Sequence, residues 1–143
     1  MSKGDLESLM NQLVPFAQQM LAKHGEFYPY GGVLTPLGEV ELVGANDGRG
    51  QPPSEELIST LLAAFRERAS SGKCTATALI ADVRALPSSE DEETNAIRVS
   101  LEHVSGLAID VFLPYEVGDD GQIQYGEFFA RQGERIIFLI PEE

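Results

Sequence analysis

The segment Ile97–Tyr115 constrains the fold more than any other part of the chain. Ile97, Val99, Leu101 and His103 alternate with Arg98, Ser100 and Glu102. Beyond Val104-Ser105-Gly106, Leu107, Ile109, Val111, Leu113 and Tyr115 alternate with Ala108, Asp110, Phe112 and Pro114. Period-two patterning of this length marks two strands with one face on a core and the other mostly in water. The turn between them sets the register. A two-residue loop at Ser105-Gly106 would put Leu101 opposite Asp110 and mix the faces. A three-residue loop, Val104–Gly106, with Gly106 left-handed, pairs His103 with Leu107, Leu101 with Ile109, Val99 with Val111 and Ile97 with Leu113. That register keeps the apolar set together. It places Ser100 opposite Asp110, and Arg98 opposite Phe112, on the other side.

The rest of the chain fits around this hairpin. Leu6, Leu9, Met10, Leu13, Phe16, Ala17, Met20 and Leu21 have the 3-4 spacing of an amphipathic helix over Asp5–Lys23. Lys23, His24 and Gly25 close that helix, and Pro15 should kink it or divide it near Val14. Phe27–Leu34 and Glu39–Val43 form a first hairpin about Thr35-Pro36-Leu37-Gly38, with Leu34 opposite Val40 and Gly32 opposite Leu42. After a loop at Gly44–Pro53, Ser54 caps a second helix over Ser54–Ser71. Its stripe is Leu57, Ile58, Leu61, Leu62, Phe65 and Ala69, and Gly72 ends it. Cys74–Leu86 reads as a strand, and Pro87–Asn95 as a solvated acidic loop. Gly118-Asp119-Asp120-Gly121 is a turn, and Gln122–Arg131 and Arg135–Ile140 are the last two strands.

These elements predict one α+β domain over residues 1–143, in the order α-β-β-α-β-β-β-β. Short turns make its sheet mainly antiparallel, with five to seven strands. Each helix carries a single apolar stripe, so both are expected on one face of the sheet, in two layers.

Composition narrows the function classes. The chain of 143 residues has 23 acidic and 10 basic side chains, a net charge of −13. A field of that sign repels phosphate backbones and anionic membranes, so neither nucleic acid nor membrane is an expected partner. A basic protein is the partner such a surface suits. The lone Cys74 supports no internal disulfide, the polar N-terminus does not read as a secretory signal, and no segment reaches bilayer-spanning length. A bacterial, cytoplasmic setting is the expectation.

No catalytic constellation or metal-ligand spacing stands out, and no cofactor is implied. His103 lies on the apolar face beside a turn, where its polar tip can reach water, and reads as structural. His24 suits a helix C-terminus. Cys74, after Lys73, reads as a small buried filler. Gly48-Arg49-Gly50 lacks the residues of a phosphate loop, and Asp119-Asp120-Gly121 lacks the acid spacing of a calcium loop. The segment Glu26–Gly32 combines Phe27, Tyr28 and Tyr30 with Gly31 and Gly32, glycines that permit close backbone approach by a ligand or peptide.

The order of aromatic-glycine hairpin, helix and meander, together with size and acidity, is similar to small bacterial immunity proteins, which neutralise a toxin by binding it. The resemblance carries no motif and transfers no residue. The leading expectation is a non-enzymatic, immunity- or adaptor-like protein-binding domain, with Glu90, Asp91, Glu92 and Glu93 as contact residues. One alternative is a small-molecule-binding domain or minor enzyme, with a pocket between sheet and helices near Tyr28, Tyr30 and His103. Another is a structural subunit that associates with its own copy through a sheet edge.

Overall fold

A computed structural model of the chain describes residues 2–44, 54–85 and 92–138. Helix α1 (Ser2–His24) leads into strands β1 (Tyr30–Leu34) and β2 (Val40–Val43). Helix α2 (Ser54–Ser70) follows, then β3 (Ala76–Ala85), β4 (Thr94–His103), β5 (Ala108–Val117), β6 (Ile123–Tyr125) and β7 (Phe129–Gln132). All strands join one antiparallel sheet in the order β2-β1-β3-β4-β5-β6, with β7 also paired to β5. The α+β class and the antiparallel sheet of seven strands are as the patterning predicts, with one strand more than the predicted element order contains. No helix among the described residues is long and apolar enough to cross a membrane.

Both hairpins adopt the predicted registers. In the central one, Leu101 faces Ile109, Val99 faces Val111 and Ile97 faces Leu113. His103 and Gly106 close the loop: His103 N–H donates to the Leu107 carbonyl, Gly106 N–H donates to the His103 carbonyl, and Gly106 has φ +104°. In the first hairpin, Leu34 faces Val40 and Gly32 faces Leu42, with Gly38 at φ +87°.

The expectation of two helices on one face is not met. Neighbouring strand residues point to opposite faces, and Gly31 and Gly32 show which helix lies on each. A Cβ on Gly31 would meet Phe65 Cζ of α2 at 2.6 Å, whereas a Cβ on Gly32 would meet Leu13 Cδ1 of α1 at 2.8 Å. The helices therefore clasp β1 from both sides. The paired glycines serve this close packing. The core is split accordingly. Leu6, Leu9, Leu13, Val14, Ala17 and Leu21 of α1 pack with Ala78, Ile80, Ile97, Val99, Leu101 and Leu113. Leu61 and Phe65 of α2 pack with Val33, Val43, Cys74, Leu79, Ile137 and Phe138. A single apolar stripe on each helix says that each covers a face. It does not say that they cover the same one.

Three other expectations change. Helix α1 runs unbroken through Pro15. The carbonyl that loses its donor belongs to Asn11, and both residues are exposed, so water can serve it. Gln122–Arg131 is two strands, not one: Tyr125 faces Tyr115 and Phe129 faces Phe112, leaving Gly126-Glu127-Phe128 opposite only Leu113-Pro114. Pro114 has no N–H for the ladder, and one extra residue is accommodated there as a bulge. Gly126 N–H donates to the Pro114 carbonyl. Finally, no strand forms over the described part of Arg135–Ile140, residues 135–138. The N–H groups of Ile136, Ile137 and Phe138 all point at one carboxylate. Successive N–H groups of a strand point in alternate directions, so a convergent set excludes strand geometry.

Candidate functional site

On the face covered by α1, the polar side chains are committed to holding the fold. Tyr30 is buried, packs edge-on against Phe16 and Phe27, and donates its hydroxyl to the Leu13 carbonyl at 2.5 Å. Burial pushes its phenol well above the ordinary tyrosine range. Tyr115 donates to Asp82 Oδ1 at 2.5 Å, and burial raises the Asp82 carboxyl.

His103 is buried and lies between α1 and the central turn. The Ser105 backbone N–H donates to its Nδ1 at 3.0 Å. The hydrogen of the neutral ring is therefore assigned to Nε2, which donates to Asp5 Oδ2 at 2.9 Å. Ser105 Oγ is also 2.9 Å from Nδ1. Asp5, His103 and Ser105 share the residue types of a hydrolytic triad. Here, however, the imidazole lone pair that would activate a hydroxyl is aimed at the turn's own amide. This is a clasp that ties the start of α1 to the β4–β5 turn. The acid partner in α1 lies too far away in sequence for strand patterning to find.

The face covered by α2 is different. Helix α2 packs mainly over β1 and β3, so the alternate residues of β4 and β5 lie beside it. They form rows across the sheet. Leu79 faces Ser100, which faces Asp110, which faces Arg131. Ala81 faces Arg98, which faces Phe112, which faces Phe129. Phe112 and Phe129 stack at 4.9 Å, and Arg131 lies over both rings.

Where α2 stops short, a pocket of about 350 Å³ opens. Its floor includes Leu79, Arg98, Ser100 and Asp110, and one wall is Ile58, Leu62 and Phe65 of α2. The 4-3 spacing of those three puts them on one helical stripe. The opposite wall is the segment from Gln132 to Ile137.

Glu102 anchors that wall. The side chain is 4% exposed. Its Oε1 accepts N–H bonds from Ile136 (2.8 Å) and Ile137 (3.1 Å), and its Oε2 from Ile137 (2.9 Å) and Phe138. Convergent amides of this kind stabilise a buried anion. Arg66 of α2 donates through Nε to the Ile136 carbonyl at 2.9 Å, tying the same segment to the helix.

Two arginine nitrogens are buried without a hydrogen-bond partner among the described residues, Arg98 Nε and Arg68 Nη1, and only Arg98 lines the pocket.

The structure separates the residues singled out from sequence. Tyr28 is 40% exposed ahead of β1, and Tyr30 and His103 lie on the α1 face. None of the three lines this pocket. Glu92 and Glu93 are exposed beside β4, whereas Glu90 and Asp91 fall outside the described residues. Cys74 is buried against α2 as a small filler, and burial raises its thiol pKa. Asp120 Oδ1 accepts the Gln122 N–H within the Gly118–Gln122 turn. Arg98, Ser100, Glu102 and Asp110 were placed on the correct face by the register but read as facing water. No family model, curated protein or solved structure matches the chain, so the site is read from its own geometry.

Proposed function

We propose that this protein is a small-molecule-binding domain whose ligand sits between α2 and the β4–β5 hairpin. One observation carries the reading: a pocket of about 350 Å³ with an apolar wall and a few convergent polar groups on a rigid sheet floor. Binding sites of this size and composition hold small ligands, with the apolar wall supplying burial and the polar groups orientation. A thermal-shift screen of small anions, cations, zwitterions and neutral molecules tests it, run on wild type and on Ser100→Phe. Ser100→Phe puts a ring into the pocket floor. Compounds that raise the wild-type melting temperature should fail to do so for a folded Ser100→Phe. Equal shifts in both proteins would place binding elsewhere.

A protein partner is a second reading, favoured by a different observation. Phe128 is 54% exposed at the bulge between β6 and β7, and Tyr125 and Val117 on β6 and β5 are exposed as well. The net charge of −13 suits a basic partner for such a surface. Association through exposed acids, Glu92 and Glu93 among them, should slow as salt rises, because Debye screening shortens to ~8 Å at physiological ionic strength. A flat salt response would remove the electrostatic part of this reading.

A further inference from the structure

The charges around the pocket narrow the ligand class, on the reading above that the pocket holds a small molecule. Arg98 brings a guanidinium to the floor, and its buried Nε has no hydrogen-bond partner among the described residues. A buried donor of a charged group is costly unless something bonds it, and a carboxylate matches the guanidinium fork. Glu102 is not that carboxylate, since both of its oxygens are taken by the amides of Ile136, Ile137 and Phe138.

A simple anion does not suit the site either. Asp110, half-buried, and Glu134, exposed, line the same pocket. Asp110 sits opposite Arg131 across β5 and β7, and Glu134 adds a second negative charge at the mouth. A simple cation would meet Arg98. A molecule carrying both signs side by side satisfies both. Arg98 and Asp110 are diagonal neighbours across β4 and β5, with backbones about 7–8 Å apart, which suits a compact zwitterion lying over Ser100. Ile58, Leu62, Phe65 and Ile136 then face its apolar part.

We propose that the pocket takes a zwitterion of the apolar α-amino-acid type, its carboxylate on Arg98, its ammonium toward Asp110 and Glu134, and its side chain against α2. The test is a titration followed by the methyl resonances of Ile58, Leu62, Leu79 and Ile136. The probes are L-leucine, leucine amide, N-acetylleucine and the uncharged 3-methylbutanol. L-leucine should bind at least tenfold more tightly than either derivative that lacks one charge. Arg98→Gln should raise its Kd at least tenfold, Arg98→Lys should recover part of that loss, and Asp110→Asn should weaken L-leucine while leaving N-acetylleucine little changed. Circular dichroism confirms that each variant is folded. Equal affinity for L-leucine and its two derivatives, or an unchanged Kd in folded Arg98→Gln, would overturn the zwitterion assignment. Binding of 3-methylbutanol alone would overturn that assignment while leaving a small-molecule pocket. Silence of these methyls toward all four probes and the compounds of the thermal-shift screen would overturn both.

Discussion

The two faces of one sheet are built to different ends. On the first, α1 lies across β1, β3 and β4 and seals an apolar layer, in which Leu9, Ala17, Ile80 and Ile97 have no accessible surface. The polar groups there are spent on the fold: Tyr30 on the Leu13 carbonyl, His103 on Asp5, Tyr115 on Asp82. On the second, the shorter α2 covers β1 and β3, and a strap held by Glu102 covers part of the remainder. The same strands supply both faces through alternate residues. A sheet can thus spend one parity of its side chains on stability and leave the other parity for a site.

The comparison is most easily broken at β1. A Cβ on Gly31 meets the Ala78 carbonyl oxygen at 2.4 Å and Phe65 Cζ at 2.6 Å. The backbone oxygen cannot yield without moving β3. Gly31→Ala should therefore cost about 3 kcal/mol, at the upper end of overpacking effects. Gly32→Ala meets first the tip of Leu13 at 2.8 Å, a flexible side chain, and should cost less. Urea midpoints of the two variants check the order. A larger loss at Gly32 would mean that α1, not α2, is the more tightly docked helix.

Next comes the strap. Glu102→Gln removes the charge and turns an NH₂ group toward amides that all donate, so about 2 kcal/mol should be lost. The same change should speed hydrogen exchange at Ile136, Ile137 and Phe138 ahead of the sheet. Exchange unchanged at those amides would show that the carboxylate does not hold the strap. A smaller effect lies at the turn shared by both faces. Gly106 has φ +104°, and a Cβ there meets only the Arg135 guanidinium at 3.0 Å. Gly106→Ala should cost about 1 kcal/mol, from backbone conformation more than from crowding.

The last change carries the opposite sign. Burial raises the Asp82 carboxyl above its ordinary 3.8, so the folded state prefers the protonated form. Its favourable contribution is present below the unfolded pKa and is lost as pH rises through the raised folded value. Asp82→Asn, which keeps an oxygen for Tyr115, should therefore be more stable than wild type at neutral pH. The advantage should fade as pH falls through the raised folded value and be gone below about 3.8. A variant less stable than wild type at pH 7 would show that the ionised carboxylate is worth more to Tyr115 than its burial costs.

Much of this structure is legible in the sequence, and the pattern of misses has a physical cause. The registers of both hairpins follow from alternation and from Gly38 and Gly106, because a one-residue slip would move every apolar side chain to the wrong face. The pairing of Ser100 with Asp110 and of Arg98 with Phe112 was legible for the same reason. The identity of what covers that second face was not, since it depends on which way the chain crosses after β2. One signal was present: Phe112 lies among the polar alternates, and Leu57, Leu61 and Phe65 supply a second apolar stripe that needs a surface of its own. Glu102 reads as solvent-facing because alternation cannot reveal a distant segment that brings three amides to it. The partners of His103 and Tyr30 are hidden likewise, 98 and 17 residues away in α1.

The central claim is that one face is sealed and the other open, and adjacent residues of β4 test it directly. Val99 lies in the α1 core at 1% exposure, whereas Ser100 lines the pocket. With Cys74 replaced by alanine, Ser100→Cys and Val99→Cys each present a single thiol, and an uncharged thiol reagent reports access to it under native conditions. Ser100→Cys should react directly, at a rate insensitive to low urea. Val99→Cys should react only through global opening, on the order of 10²-fold more slowly or less, accelerating as urea lowers the stability. Similar rates at the two positions, or faster labelling at Val99→Cys, would contradict the account.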